Sequence, residues 1–344
     1  HYLDVSIFNH ILSGRIPMKR LFTFILTLTM TFSFCINSLA AAATTTTATE
    51  TTAATAARET SADTSNTQAT GASYGTSKLS GAPDIVAESA VVMDAGTGTV
   101  LYGKEASTKR YPASITKVMT ALLAVENCNM SDIITYSNAA VNGIEAGSST
   151  AGINVGAKLT VEDSLYALML VSANEAAAAI AEHISGSTTE FAKLITQFKN
   201  PHGLPDEEHY TTAYDMGLIL KEAMKHPEFR KIAGTISYTL KKSDSLTDTL
   251  ELWNHAKILR QNSDYYYEYA KGAKTGFTQV ALNTLVTYAK KDNVELICVI
   301  LKDHEADKSY TDTANLFKWA FNQVKAVTPL TNFSLKTAMT ENSS

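Results

Sequence analysis

Cysteine is scarce and carries no pattern: the 344 residues contain three. Cys35 falls in the leader described below, which leaves Cys128 at a helix end and Cys298 in an apolar strand. This excludes a disulfide framework and a cysteine-based metal site, and both residues are expected as buried thiols. A strong charge of one sign is also missing. The net charge of −5 argues against nucleic acid as a partner. No H-E-x-x-H spacing occurs. His202 and His209, with Glu207 and Glu208 between them, lie in a turn-like stretch and are expected as loop and cap residues, not as the ligands of a metal peptidase. Long hydrophobic runs are absent too. The longest, Leu21 to Ile36, falls short of the ~20 residues that a spanning helix needs.

What is present begins with a leader. The chain opens on His1, and residues 1–17 read as an upstream extension before Met18. Met18-Lys19-Arg20 forms a positive start, Leu21–Ile36 an apolar core, and Asn37-Ser38-Leu39-Ala40-Ala41-Ala42 offers small residues for cleavage. This is the layout of a secretory signal peptide, against the alternative of an uncleaved anchor. Residues 1–40 are therefore assigned to the extension and signal peptide. Residues 41–82 are assigned to a Thr/Ala-rich linker with too few apolar side chains to offset its ordering entropy. Residues 326–344 form a polar tail.

A chain 45% hydrophobic has enough apolar surface for a large core between 83 and 325. Strands are predicted at Ala87–Asp94 and Thr99–Gly103, with a turn over Ala95–Gly98. Between Ser131 and Phe229 the pattern is mostly helical, with helices at Val161–Leu170, Asn174–Ile184, Thr188–Phe198 and Ala213–Met224. Strands return at Thr235–Leu240, Leu250–Trp253, Gly272–Thr275, Thr284–Ala289 and Val294–Leu301, and a helix closes the domain over Thr311–Val324. Strands at both ends with helices between them predict an α+β domain: one antiparallel sheet with a helical insertion.

Three stretches carry chemistry. In Tyr111-Pro112-Ala113-Ser114-Ile115-Thr116-Lys117, the serine and lysine share a face of a helix that starts after Pro112. Free N–H groups at that helix start suit a developing oxyanion, and a neutral Lys117 can take the serine proton. Ser172-Ala173-Asn174 sits at a helix–helix junction, where both polar side chains can enter a cleft. Lys274-Thr275-Gly276 closes a strand and sets a cation and a hydroxyl beside a glycine, a fit for an anionic substrate end. Taken alone, the first two stretches read better as a helix start with a snorkelling lysine and as a cap, and the third reads plausibly as a sheet-edge lysine with a bend glycine. The order S-x-x-K, S-x-N, K-T-G is specific, and belongs to penicillin-binding proteins and class A β-lactamases.

From Ala87 to Phe321 the chain resembles the low-molecular-mass penicillin-binding proteins that are D-alanyl-D-alanine carboxypeptidases, peptidase family S11. Besides the motifs, the resemblance rests on Ser89–Gly98, Glu162–Met169, Asn200-Pro201-His202-Gly203-Leu204, His209–Met216 and Lys274-Thr275-Gly276-Phe277-Thr278. It implies a β-lactamase/DD-peptidase-like α+β fold, with a five-stranded antiparallel sheet flanked by helices and an inserted helical subdomain. It also implies removal of the terminal D-alanine from peptidoglycan stem pentapeptides, β-lactam antibiotics as inhibitors, no cofactor or metal, and a part in cell-wall biogenesis and cell shape outside the cytoplasm. By motif, Ser114 is the acylated nucleophile, Lys117 its base and Ser172 a proton relay. Asn174 binds the substrate backbone, Lys274 keeps Lys117 neutral, Thr275 grips the carboxylate, Gly276 belongs to the same substrate-binding strand, and the N–H groups of Ser114 and Phe277 form the oxyanion hole.

Departures from the family accompany the resemblance. Ala173 replaces the usual glycine and Glu175 a common aspartate; Leu282 stands where a glycine usually follows Ala281. Ser309, beside Lys308, takes the place of an arginine that many members carry. His255 falls where some members place a basic residue near the substrate carboxylate; it is expected first as a buried structural histidine and kept as a substrate-binding candidate. The C-terminal β-rich domain and amphipathic helix of many relatives have no counterpart, so a membrane-proximal location without a clear C-terminal anchor is expected. Two alternatives stand: a class A-like β-lactamase and a non-catalytic penicillin-binding sensor. The lactamase needs a carboxylate for deacylation, and no E-x-x-L-N context occurs between Glu175 and Lys274. Glu175, Glu182 and Glu190 are expected on solvated helix faces.

Overall fold

The computed structural model describes residues 77–195 and 197–324. The expected signal peptide, most of the linker and the C-terminal tail lie outside those residues. The described chain starts with β1 (Ser77–Lys78), β2 (Ser89–Asp94) and β3 (Val100–Lys104). A 3₁₀ turn over Ala113–Thr116 runs into α1 (Lys117–Asn127). There follow β4 (Ile133–Thr135), α2 (Asn138–Asn142), β5 (Lys158–Thr160) and α3 (Val161–Leu170). Next come α4 (Asn174–Ser185), α5 (Thr188–Lys193), α6 (Ala213–Ala223) and α7 (Pro227–Gly234). The chain closes with β6 (Ser237–Leu240), β7 (Leu250–Trp253), β8 (Ala270–Thr278), β9 (Leu282–Lys291), β10 (Val294–Asp303) and α8 (Lys308–Gln323).

Five long strands form an antiparallel sheet in the order β3-β2-β10-β9-β8, and β1 adds a two-residue edge beside β3. That edge pairs Ser77 with Gly103 and Lys78 with Tyr102, upstream of residue 83. The sheet joins the two ends of the domain: β10 pairs with β2 in register from Leu296↔Asp94 to Leu301↔Ser89. Its alternation explains the apolar run in β10. Leu296, Cys298 and Ile300 share one core with Leu316 and Phe317 of α8. Ile297, Val299 and Leu301 share the other with Val118, Leu165 and Met216 from α1, α3 and α6. A strand covered on both faces has no polar side to show. Cys298 is fully buried as expected, while Cys128 is only partly so.

Some boundaries differ from the sequence reading. The stretch from Ser131 to Phe229 is less helical than expected, because it holds the β4–β5 hairpin and a long loop between α2 and β5. Strands of three residues are too short to leave a period-2 signal. The helix expected over Thr188–Phe198 ends at Lys193. Glu175 does not lie on a solvated face: α4 is buried along Asn174–Ala181, and Glu175 is 1% exposed. Leu282 adopts φ +57°, so the left-handed turn into β9 persists without a glycine, and Leu282 still pairs with Thr278.

A second strained position gives a stability test. Lys291 and Val294 pair across the β9–β10 turn, and exposed Asp292 between them has φ +52°. Glycine takes that conformation without a Cβ penalty. Asp292→Gly is expected to raise unfolding stability by about 0.5–1 kcal/mol, read as a higher urea midpoint at unchanged m-value. A lower midpoint would contradict this reading of the turn.

Candidate active site

Ser114 does not sit in an α-helix but in the 3₁₀ turn that precedes α1. Residues three apart eclipse on such a turn, so Ser114 lies over Lys117. The turn is pinned from two sides. Thr284 of β9 donates its hydroxyl to the Pro112 carbonyl at 2.9 Å. Loop 200–204 closes against Ala113, which itself takes φ +52°, and a Cβ on Gly203 would stand 1.9 Å from the Ala113 carbonyl oxygen. Asn200 holds this loop in shape: its Oδ1 accepts from Gly203 N at 2.7 Å, and its Nδ2 donates to Leu204 O at 2.9 Å. Thr120 of α1 donates to Pro201 O at 2.6 Å. Behind the turn, His209 Nδ1 accepts from Lys199 N, so the ring's Nε2–H faces Thr116 Oγ1 at 2.9 Å. Burial brings His209 down to about 4, which keeps it neutral.

Lys117 is fully buried, and its Nζ has three neighbours. Asn174 Oδ1 lies at 2.6 Å, the His202 carbonyl oxygen at 2.7 Å and Ser114 Oγ at 3.0 Å. The first two can only accept. A neutral amine has two N–H groups and one lone pair, whereas an ammonium has three donors and no acceptor. Two N–H groups satisfy Asn174 and His202, and the remaining direction, toward the Ser114 hydroxyl, suits the lone pair. The electrostatics agree. Burial first, and then the nearby Lys274, hold the Lys117 pKa well below its ordinary 10.5, against an opposing pull from Glu175.

Lys274, also buried, donates from Nζ to Ser172 Oγ at 3.0 Å and to Thr275 O at 2.8 Å, and burial brings its pKa down to about 7. Ser172 reaches it from the α3–α4 junction with φ +63°, a strained conformation for a residue other than glycine. The three motifs thus converge from α1, α4 and β8. They open into a cleft of about 590 Å³, lined by Ser114, Ser172, Asn174, Thr275, Gly276 and Phe277 among others. Gly276 is needed where it is: a Cβ there would meet Thr284 Oγ1 at 2.5 Å and Ser114 N at 2.8 Å. The absence of a side chain lets β8 pass beside the serine amide.

His255 is exposed and lines this cleft, so it is not the buried structural histidine weighed against a site role. Partial desolvation of its ring by the cleft walls, and then Lys274 and Arg260, lower its pKa. Ser309 lines the cleft as well, and Lys257 in the same wall pairs with Asp307 at 2.8 Å. Two contributors were not visible in the sequence. His202 acts through its main-chain carbonyl, which no side-chain pattern reveals. Glu175 grips a loop, described below.

Comparison with known proteins follows the same lines. The family profile described as D-alanyl-D-alanine carboxypeptidase, Peptidase_S11, matches residues 76–305. The D-alanyl-D-alanine carboxypeptidase DacF of Bacillus subtilis is 34% identical over 255 residues, which cover 69% of this chain and 62% of that protein. The chain therefore spans less than two thirds of that relative's length. The solved Streptomyces K15 DD-transpeptidase superposes with a TM-score of 0.64 at 29% identity, covering 70% of this chain and 99% of the other. The D-alanyl-D-alanine carboxypeptidase from Mycobacterium tuberculosis H37Rv gives 0.63 at 25% identity, covering 74% and 97%. Its α+β sheet, its helical insertion and the profile match across nearly all of the described domain place this chain in one family: it belongs to the D-alanyl-D-alanine carboxypeptidases of peptidase family S11.

Proposed function

We propose that this protein is a serine-type D-alanyl-D-alanine carboxypeptidase acting outside the cytoplasm on peptidoglycan stem pentapeptides, and that β-lactams acylate it. The observation that carries the reading is the environment of Lys117 Nζ, with two acceptor-only neighbours and the Ser114 hydroxyl in the third direction. In the proposed reaction the Ser114 oxygen attacks the carbonyl of the penultimate D-alanine while Lys117 takes its proton. The N–H groups of Ser114 and Phe277 receive the oxyanion. The C–N bond breaks, the terminal D-alanine leaves as an amine protonated through Ser172, and water then hydrolyses the ester. Asn174 holds the substrate backbone. Thr275, with Lys274 behind it and His255 in the same cleft, receives the terminal carboxylate. A β-lactam carbonyl enters the first half of this path. Its leaving nitrogen stays tethered, so the acyl-enzyme persists.

The test is D-alanine release from a stem pentapeptide, run beside penicillin turnover. The carboxypeptidase reading expects D-alanine and a long-lived penicillin adduct. Rapid penicillin hydrolysis without D-alanine release would replace it with the β-lactamase reading.

Gly276→Ala follows from the same geometry. The added methyl forces β8 away from the Ser114 amide, and a displacement of about 1 Å at a reacting centre costs about 100-fold. Acylation by penicillin is expected to slow by about 10- to 100-fold, read by stopped-flow. An unchanged rate would show that the strand's approach to Ser114 is not needed.

A further inference from the structure

The loop between α2 and β5 lines the cleft through residues 145–149, and it is attached to the start of α4. Glu175 Oε1 accepts the Thr150 hydroxyl at 2.6 Å, and the main-chain N–H groups of Ala151 at 2.7 Å, Gly152 at 3.1 Å and Ile153 at 3.4 Å. Its Oε2 is buried with no hydrogen-bond partner among the described residues. The adjacent Asn174 donates its main-chain N–H to Ser149 O at 2.9 Å and accepts from Lys117 through its side chain. Two consecutive residues at the start of α4 therefore hold the cleft wall and the amine together. No side-chain cap serves this helix start, where Ala173 stands.

We propose that Glu175 is a positioning residue for acylation: its buried carboxylate clamps the 150–153 loop to α4, next to Asn174, whose side chain accepts from Lys117 Nζ. The groups that bear on Lys117 come from three directions. Lys274 lies on β8, Glu175 on α4, and His202 on the loop before α6. Burial brings His202 down to about 3, and His209 behind Thr116 is neutral as well, so neither adds charge near neutral pH. Lys274 disfavours a proton on Lys117 and Glu175 favours it.

The inference rests on acylation at Ser114, and the experiment separates the two. Benzylpenicillin acylation rates are measured against pH for the wild type, Glu175→Gln and Thr150→Ala, with KM for a stem pentapeptide. Glu175→Gln removes the charge, so Lys117 loses its proton more readily and the acid limb moves to lower pH. Thr150→Ala keeps the charge and loosens the wall, so KM rises about three- to tenfold while the acid limb stays in place. If Glu175→Gln does not fold, Glu175→Asp replaces it, with raised KM and an unmoved acid limb expected. An acid limb that stays put in Glu175→Gln, a KM that stays put in Thr150→Ala or Glu175→Asp, or an acid limb that moves in Glu175→Asp overturns the proposal. A wild type that forms no adduct removes the serine reading instead.

Discussion

Ser114→Ala is expected to eliminate the covalent penicillin adduct and to lower D-alanine release by about 10⁴–10⁶-fold. The size of the effect follows from the loss of a bond-forming atom, which no neighbour replaces: Lys117 Nζ faces the serine oxygen, and Ser172 faces Lys274. The fold should survive. Ser114 is half-buried, and alanine fits the 3₁₀ turn, which is held by Pro112 O on Thr284 and by loop 200–204. Fluorescent penicillin retained on a denaturing gel and a coupled D-alanine assay read the two consequences. Turnover within tenfold of the wild type would remove Ser114 from the role of nucleophile.

Lys117→Met should lower acylation by about 10²–10⁴-fold, the range of a lost general base. Methionine fills a similar volume but leaves the Asn174 and His202 oxygens without their donor. The more discriminating readout is pH. Only the neutral amine can take the serine proton, so wild-type acylation falls as pH drops through the lowered pKa of Lys117, and the methionine variant lacks that limb. Stability carries the same signature. Above the lowered folded value and below the unfolded 10.5, the unfolded chain binds more protons at this lysine than the folded one, so wild-type stability rises with pH across that window. Lys274 contributes in the same direction between about 7 and 10.5. Denaturation midpoints across pH 6–9 should therefore climb less steeply in Lys117→Met. A variant with an intact acid limb would show that another group serves as base.

Much of this site is legible as three short motifs, because each places side chains by local geometry alone. A spacing of three on a tight turn fixes Ser114 over Lys117, and one strand carries Thr275 to the cleft and Lys274 behind it to Ser172. The sheet is legible for a related reason: β10 is apolar on both faces because helices cover both, and its run is unbroken. The parts that were not visible depend on tertiary surroundings. Glu175 sits in a helix whose neighbours are mostly alanine, and a helix buried all round gives no periodic signal that separates its solvent side. Its partners are the Thr150 hydroxyl and the main-chain N–H groups of residues 151–153, more than 20 residues away, which have no sequence signature. The carbonyl of His202 is equally silent, although the Asn200–Leu204 stretch that presents it contributes to the family resemblance. The exposure of His255 is not legible either, because nothing in Trp253-Asn254-His255 specifies the turn after β7 that leaves it facing the cleft.

The measurement that bears most directly on the account is intact mass after exposure to benzylpenicillin, followed by peptide mapping. The expected result is a gain of one penicilloyl group per chain, located on the peptide that contains Ser114 and missing from the Ser114→Ala variant. An adduct on any other residue, or steady penicillin hydrolysis with no trapped adduct, would contradict it.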